Sequence, residues 1–279
     1  MAVIERYFSS DDDLARVGND FRNLIGTVSQ SHGELSIQLR KNYFNVYYRG
    51  NSLARVAPLK QGKYEVRVHQ KFVRGPVEAS WSTWPSTSSG PYRRWIIEGN
   101  DARRFLSKTN VGRLGAQITK VNHGEEINFE QILMTDNPPS QQLVIIDRQV
   151  ADHVHNKQMD ILALSRPSGT GAFEFLVIEV KLGKNPELRG PVANQLNEYV
   201  GHIRENIDDY TACYTRNYAQ KYQLGLLDFE GAESSINIGP HVEGMIVVGG
   251  YTGIAADAIR ELRSKHPELR IMEMRNSLV

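Results

Sequence analysis

The sequence predicts an α/β protein in which a mixed sheet flanked by helices follows a smaller β-rich domain. Near-continuous apolar runs, separated by helical stretches, fill the second half of the chain, and such runs are typical of strands covered on both faces. In the first half, short alternating segments between turn residues indicate antiparallel strands. The length of 279 residues is enough for two domains, and we expect them at 1–120 and 121–279.

The first domain is expected to open with a helix and to continue as a small antiparallel sheet. Asp11 to Asp13 can cap a helix that carries one apolar face as far as Ile25. Three alternating segments follow, with Gly50-Asn51 and Gly62-Lys63 between them as turns. The expected strands are residues 43–48, 52–56 and 64–72.

A segment rich in Ser, Pro, Thr and Gly follows at residues 76–92, and its composition predicts a loop. It holds Trp81 and Trp84 and leads into Arg93 and Arg94. Aromatic rings beside arginines can stack bases and hold phosphates, so these four residues are candidates for nucleic-acid contact. The alternative is that the rings only anchor the loop to its own domain.

The charge of the chain is unevenly distributed, although the net charge is only +1. Residues 34–113 hold 15 Lys and Arg against 5 Asp and Glu, whereas residues 114–279 hold 15 against 22. A basic first half beside an acidic second half favours a polyanionic partner for the first half. A solvated basic sheet face is the alternative.

The second domain is expected to alternate strands and helices. A helix over residues 125–134 ends at Asn137-Pro138-Pro139, because proline cannot continue it. Apolar runs then predict buried strands at residues 143–146, 159–164, 173–180 and 242–248. Helices are expected over about 191–206 and 254–265, and a final strand over 269–274.

Two of the predicted strands carry charged residues at their ends. Asp160 opens one strand, and Glu179 and Lys181 close another. Glu179 and Lys181 are two residues apart, so their side chains share a face and Val180 points to the other. Charges at the end of a buried strand are costly unless they are used or paired. If the strands form a hairpin, Asp160 lies beside Glu179.

Adjacent carboxylates repel each other unless a cation lies between them. Carboxylate oxygens suit Mg²⁺ or Mn²⁺, which can activate a bound water. Lys181 could then orient that water, help to deprotonate it or stabilise developing negative charge. The alternative is a structural ion pair between Lys181 and the acids.

The order of further residues resembles the PD-(D/E)xK nuclease superfamily. Asp160 matches the first acid, and Glu179-Val180-Lys181 matches the ExK element. Gln195 and Tyr199 match the QxxxY element of the RecB-like and NucS-like branches, and Glu130 matches the acid on the opening helix. The resemblance covers residues 124–250. It departs from the motif in having Met159 in place of the proline before the first acid, and Glu126 could replace Glu130 in the opening position.

The resemblance implies a restriction-endonuclease-like fold and a nuclease activity, with endo or exo action left open, that hydrolyses phosphodiester bonds with metal-activated water. The implied site is Asp160 and Glu179 as metal ligands, with Lys181, Gln195, Tyr199 and Glu130 as further catalytic residues. The implied cofactor is Mg²⁺ or Mn²⁺, and the expected partner is nucleic acid, DNA rather than RNA. The alternative function is that of a catalytically inactive nuclease fold that serves nucleic-acid binding or assembly. A homodimer is compatible with either function.

The N-terminal residues and the lengths of the apolar runs predict the location of the protein, and its cysteine and histidine residues limit the kinds of metal site. The N-terminal residues are acidic where a signal peptide would be apolar, and no apolar run is long enough to span a membrane, so we expect a cytoplasmic protein without a membrane partner. The single cysteine, Cys213, excludes an intramolecular disulfide and a cysteine-based zinc cluster. Asp152, His153 and His155 are interpreted as part of a polar hairpin rather than a zinc site.

Overall fold

The computed structural model describes residues 3–122, 124–151 and 158–275. They form two compact units. The N-terminal unit contains residues 5–127 and 219–228, and the C-terminal unit contains the remaining described residues. The division along the chain therefore falls after residue 127 rather than after residue 120.

Residues 219–228 join the N-terminal unit through apolar and polar contacts, and Leu224 belongs to its apolar core. The side-chain amide of Gln220 accepts a hydrogen bond from the Phe8 N–H and donates one to the Phe8 carbonyl, each at 2.8 Å. Lys221 Nζ donates to Gln38 Oε1 at 2.7 Å in a buried contact. A buried polar group is stable only with such a partner, which ties this short segment to the unit.

The N-terminal unit is built on a six-stranded antiparallel sheet with the order β1-β2-β3-β4-β6-β5. Helices and sheet enclose one apolar core that includes Phe21, Phe44 and Trp95. The strands are β1 Leu35–Arg40, β2 Tyr43–Tyr48, β3 Asn51–Pro58, β4 Lys63–His69, β5 Ser86–Ser89 and β6 Tyr92–Glu98. The helices are α1 Asp11–Asp20, α2 Arg22–Ser29, α3 Pro76–Trp81, α4 Gly99–Phe105 and α5 Lys108–Val121.

The segment expected to be a loop at residues 76–92 instead forms α3 and β5, so that expectation is wrong. Pro76 starts α3 at its first position, where the missing N–H costs no hydrogen bond. Ser86–Ser89 pairs antiparallel with β6 across a turn in which Gly90 has φ of 56°. Short polar side chains are tolerated there because β5 is the edge strand of the sheet.

The C-terminal unit is built on a five-stranded mixed sheet with the order β11-β10-β9-β8-β7, which confirms the predicted α/β class. The strands are β7 Leu143–Ala151, β8 Gln158–Ser165, β9 Phe173–Leu182, β10 Ile238–Gly249 and β11 Arg270–Met274. The helices of this part of the chain are α6 Glu125–Asp136, α7 Pro191–Glu205, α8 Ile207–Gln223 and α9 Thr252–Lys265. Strands β7, β8 and β9 form an antiparallel meander, and β9, β10 and β11 are parallel.

Different helices cover the two faces of this sheet. On one face, Phe129 and Leu133 of α6 pack with Ile161, Ile178 and Val180. On the other face, α7 approaches β10 so closely that a Cβ at Gly244 would lie 3.0 Å from side chains of α7. Because side chains alternate along a strand, the neighbours of Ile178 and Val180 face α7.

Candidate active site

The two predicted acids meet on the face of the sheet that α7 covers. The register of β8 and β9 pairs Ile161 with Ile178, which places Asp160 beside Glu179. Asp160 Oδ2 accepts a hydrogen bond from the Val180 amide at 2.9 Å. Glu179 is fully buried, whereas Asp160 is only partly buried. The hairpin therefore brings two carboxylates together at one end of a buried strand.

Lys181 lies between two carboxylates. Its Nζ is 2.9 Å from Glu179 Oε1 and 2.8 Å from Glu187 Oε2. Burial alone would lower the pKa of Lys181, but Glu179, Glu187 and Asp160 outweigh that effect and raise the pKa above its ordinary value. The ammonium is therefore kept at neutral pH, which suits stabilisation of negative charge better than proton abstraction.

Glu187 is a member of this cluster that sequence reasoning missed. It lies in the 3₁₀ turn Pro186–Arg189 between β9 and α7. No spacing rule connects a loop acid to a lysine six residues earlier, so the sequence contained no signal for the contact.

Helix α7 brings Gln195 and Tyr199 to the same side of the sheet. Gln195 Nε2 donates to Tyr199 Oη at 3.2 Å, and Tyr199 Oη donates to the Gln158 carbonyl at 3.1 Å. Burial raises the pKa of Tyr199, and the charges of Glu179 and Asp160 raise it further. Tyr199 therefore stays a neutral hydrogen-bond donor and ties α7 to the start of β8.

A cleft of about 630 Å³ opens beside Glu187. Its lining residues come from the 3₁₀ turn, the residue that precedes α7 and the first three turns of α7, and they are Glu187, Gly190, Pro191, Asn194, Gln195, Glu198 and Tyr199. Gly190 has φ of 147°, a conformation that glycine adopts far more readily than other residues. The chain can therefore turn sharply from the 3₁₀ turn into α7, and both elements line the cleft.

The expectation that Glu130 joins this site is wrong. Glu130 Oε2 accepts a hydrogen bond from Arg148 Nη2 at 2.7 Å, and Gln131 Oε1 accepts one from Arg148 Nη1 at 2.9 Å. Arg148 on β7 lies directly opposite Ile161 on β8, so the two side chains share a face of the sheet. Ile161 packs against α6, and Arg148 therefore faces α6 as well. Glu130 thus lies on the opposite side of the sheet from Glu179, in a buried ion pair that fastens α6 to β7.

Asp147 is buried on β7 and serves packing. Its Oδ2 accepts from Tyr214 Oη at 3.0 Å, and its Oδ1 accepts from the Arg148 amide at 2.8 Å. Tyr214 belongs to α8, a helix that the sequence analysis did not predict. Its buried tyrosines, Tyr210, Tyr214 and Tyr218, recur every four residues and would have indicated one helical face.

In the N-terminal unit, Trp81 is not available to stack on a base. It is 2% exposed, its ring stacks on Phe105 at 4.2 Å, and its Nε1 donates to the Phe105 carbonyl at 3.0 Å. Trp84 is partly exposed and lies under the guanidinium of Arg104 at 4.7 Å. Anchoring of the segment, the alternative interpretation, therefore describes Trp81.

Arg93 and Arg94 are both engaged by acids. Arg93 Nη1 lies 2.7 Å from Glu78 Oε1, and Arg94 pairs with Glu65. Together with the tryptophans, Arg93 lines a cavity of about 340 Å³. All three tryptophans of the chain, Trp81, Trp84 and Trp95, line it.

Another group of side chains that could hold a metal ion lies elsewhere on the mixed sheet. Glu174, His241 and Glu243 have ligand atoms within 4.8 Å of one another, but the latter two residues are exposed and Glu243 is also 3.8 Å from Arg270. The hairpin expected around Asp152 and His155 lies outside the described residues.

Comparisons of the chain with protein-family models, curated proteins and solved structures found no match. Within the described part of the chain, every helix is too short or too polar to cross a membrane.

Proposed function

We propose that the C-terminal unit is a metal-dependent nuclease that hydrolyses phosphodiester bonds of nucleic acid, DNA in preference to RNA, in a restriction-endonuclease-like fold. One observation carries the proposal. Asp160 and Glu179 lie side by side with the Lys181 ammonium 2.9 Å from Glu179, and Glu187, which also contacts Lys181, lines a neighbouring cleft. A carboxylate pair with an adjacent lysine fits both a divalent cation and an anionic substrate.

The donor set fits Mg²⁺ or Mn²⁺. Asp160 and Glu179 would hold the ion, since both supply hard oxygen atoms and their mutual repulsion is relieved by a cation. The bound ion would polarise a phosphoryl oxygen and lower the pKa of a water. The site offers no soft thiolate ligand from Cys213, which is buried within α8.

The remaining residues would position the substrate and stabilise charge. Lys181 would stabilise negative charge as it develops on the phosphate, because its ammonium is retained. Gln195 lines the cleft and would donate to a phosphate oxygen or a water. Tyr199 would position Asp160 indirectly, since its hydroxyl donates a hydrogen bond to the Gln158 carbonyl of β8, two residues from Asp160.

Cleavage should require a hard divalent cation. We expect hydrolysis of single- or double-stranded DNA with Mg²⁺ or Mn²⁺ and its loss with EDTA, because the carboxylates alone cannot activate water. Ca²⁺ should support binding with little cleavage, being larger and a poorer activator. Gel assays on DNA and RNA substrates test this, and undiminished cleavage in EDTA would refute the metal mechanism.

Nucleic-acid binding by the basic N-terminal unit should depend on the arginines of α4 more than on Arg93 and Arg94. Arg93 lies 2.7 Å from Glu78, and Arg94 pairs with Glu65, which Arg67 shares. On α4, Arg103 and Arg104 are exposed, and the contact of Arg104 with Asp101 is longer, at 3.6 Å. We expect the double change Arg103→Gln and Arg104→Gln to flatten the salt dependence of binding by about one unit of slope per lost phosphate contact.

The matched comparison for that test is the double change Arg93→Gln and Arg94→Gln. It removes the same charge but should change the salt slope less. An equal slope for wild type and both variants, measured by anisotropy over a range of salt concentrations, would place the phosphate contacts elsewhere.

A catalytically silent nucleic-acid-binding or assembly module is the second candidate. The observation that favours it is the enclosure of the cluster. The side chains of Glu179 and Lys181 are only 1% and 7% exposed, as in a structural ion pair. Binding of DNA without any cleavage under the Mg²⁺ and Mn²⁺ conditions would support this candidate.

A further inference from the structure

We propose that Glu187 is a latch that holds Lys181 away from an incoming phosphate and must leave it before substrate can bind productively. This inference rests on the proposed nuclease function. It starts from the position of the Lys181 ammonium, which is shared between Glu179 Oε1 at 2.9 Å and Glu187 Oε2 at 2.8 Å.

The two carboxylates differ in their freedom to move. The side chain of Glu187 is 46% exposed, whereas that of Glu179 is 1% exposed. The main chain beneath Glu187 is fixed, because Asn185 Oδ1 accepts from the Glu187 amide at 2.9 Å and Leu188 is buried. The side chain of Glu187 can therefore swing into the cleft while its backbone stays in place.

The position of Glu187 also sets the path to Lys181. Glu187 lines the cleft together with Gln195 and Tyr199, whereas Lys181 does not line it. A phosphate that enters the cleft meets the negative charge of Glu187 before it reaches Lys181, and the two like charges repel each other. It gains the Lys181 ammonium only by displacing Glu187 from it.

The latch is weak enough to open. A partly exposed ion pair contributes little net free energy, since water competes for both charges. Removal of the Glu187 carboxylate should therefore raise the affinity of the site for a phosphate by about five-fold. The buried contact with Glu179 keeps Lys181 in place when Glu187 leaves.

The test compares Glu187→Gln with Glu198→Gln in the full chain. Both variants remove one carboxylate from the lining of the same cleft, but only Glu187 contacts Lys181 in the ion pair described above. The first readout is the rate at which an amine-reactive reagent modifies Lys181, followed by peptide mass spectrometry without metal or nucleic acid. We expect Glu187→Gln to raise this rate by about five-fold and Glu198→Gln to leave it near that of wild type.

The second readout is cleavage of a DNA oligonucleotide with Mn²⁺. Glu187→Gln should lower KM by about the same factor, because the phosphate no longer competes with the carboxylate. Glu187→Asp, which shortens the side chain but keeps the charge, should give an intermediate KM. A lower kcat in Glu187→Gln would instead make Glu187 part of the catalytic machinery and overturn the latch.

The two readouts separate this inference from the proposed function. If wild type never cleaves but Lys181 becomes more reactive in Glu187→Gln, the nuclease proposal fails while the contact that defines the latch is supported. If wild type cleaves and the reactivity of Lys181 is unchanged in Glu187→Gln, the latch fails while the nuclease proposal stands.

Discussion

Asp160→Asn should reduce metal-dependent cleavage by about 10²–10³-fold while the protein stays folded. The change removes a charge that a divalent cation needs but keeps the shape of the side chain. The amide oxygen of asparagine can still accept the Val180 N–H that Asp160 accepts at 2.9 Å. Steady-state cleavage rates and thermal unfolding of the same preparation measure the two effects.

Glu174→Gln is the matched control for Asp160→Asn. Glu174 lies on β9 as Glu179 does, but at the opposite end of that strand and in the Glu174–His241–Glu243 group. We expect its cleavage rate to match wild type. If Glu174→Gln lost activity and Asp160→Asn kept it, the metal would belong to the Glu174–His241–Glu243 group and not to the proposed site.

Lys181→Ala would be a less decisive variant, and the structure explains why. Removal of the ammonium deletes a stabiliser of negative charge, but it also strands the buried Glu179 carboxylate beside Asp160. A buried charge without its partner is strongly destabilising. Loss of activity and loss of stability would therefore appear together, whereas Asp160→Asn separates them.

Glu130→Ala should lower the free energy of unfolding by about 3–5 kcal/mol, because it removes a carboxylate 2.7 Å from the buried Arg148 guanidinium. The side chains of Arg148 and Glu130 are 0% and 6% exposed, so water cannot replace the lost partner without a local rearrangement. Chemical denaturation followed by circular dichroism measures the loss.

A double variant provides the control for Glu130→Ala. Replacing Glu130 with Leu and Arg148 with Met removes both charges and keeps an apolar contact between α6 and β7. We expect it to regain much of the lost stability, as apolar replacements of buried ion pairs often do. If Glu130→Ala instead retained wild-type stability but lost cleavage, Glu130 would act at the site in spite of its place on the opposite face.

Which side chains share a face of one helix or strand could be predicted from the sequence, because the spacing of residues within each element is regular. Glu179 and Lys181 share a face because side chains alternate along a strand, and both contribute to one cluster. Gln195 and Tyr199 are four residues apart in a helix, and their side chains bond each other. The α/β class followed in the same way from the lengths and spacing of the apolar runs.

The tertiary structure decided which residues from distant elements meet. The sequence placed Glu130 on a helix, but only packing decided that α6 covers the face opposite Glu179. It also decided that a loop delivers Glu187 to Lys181 and that the Trp81 ring is buried against Phe105. The physical reason is that backbone geometry fixes the direction of a side chain within its own helix or strand, whereas its partners depend on how apolar faces far apart in the chain are buried together.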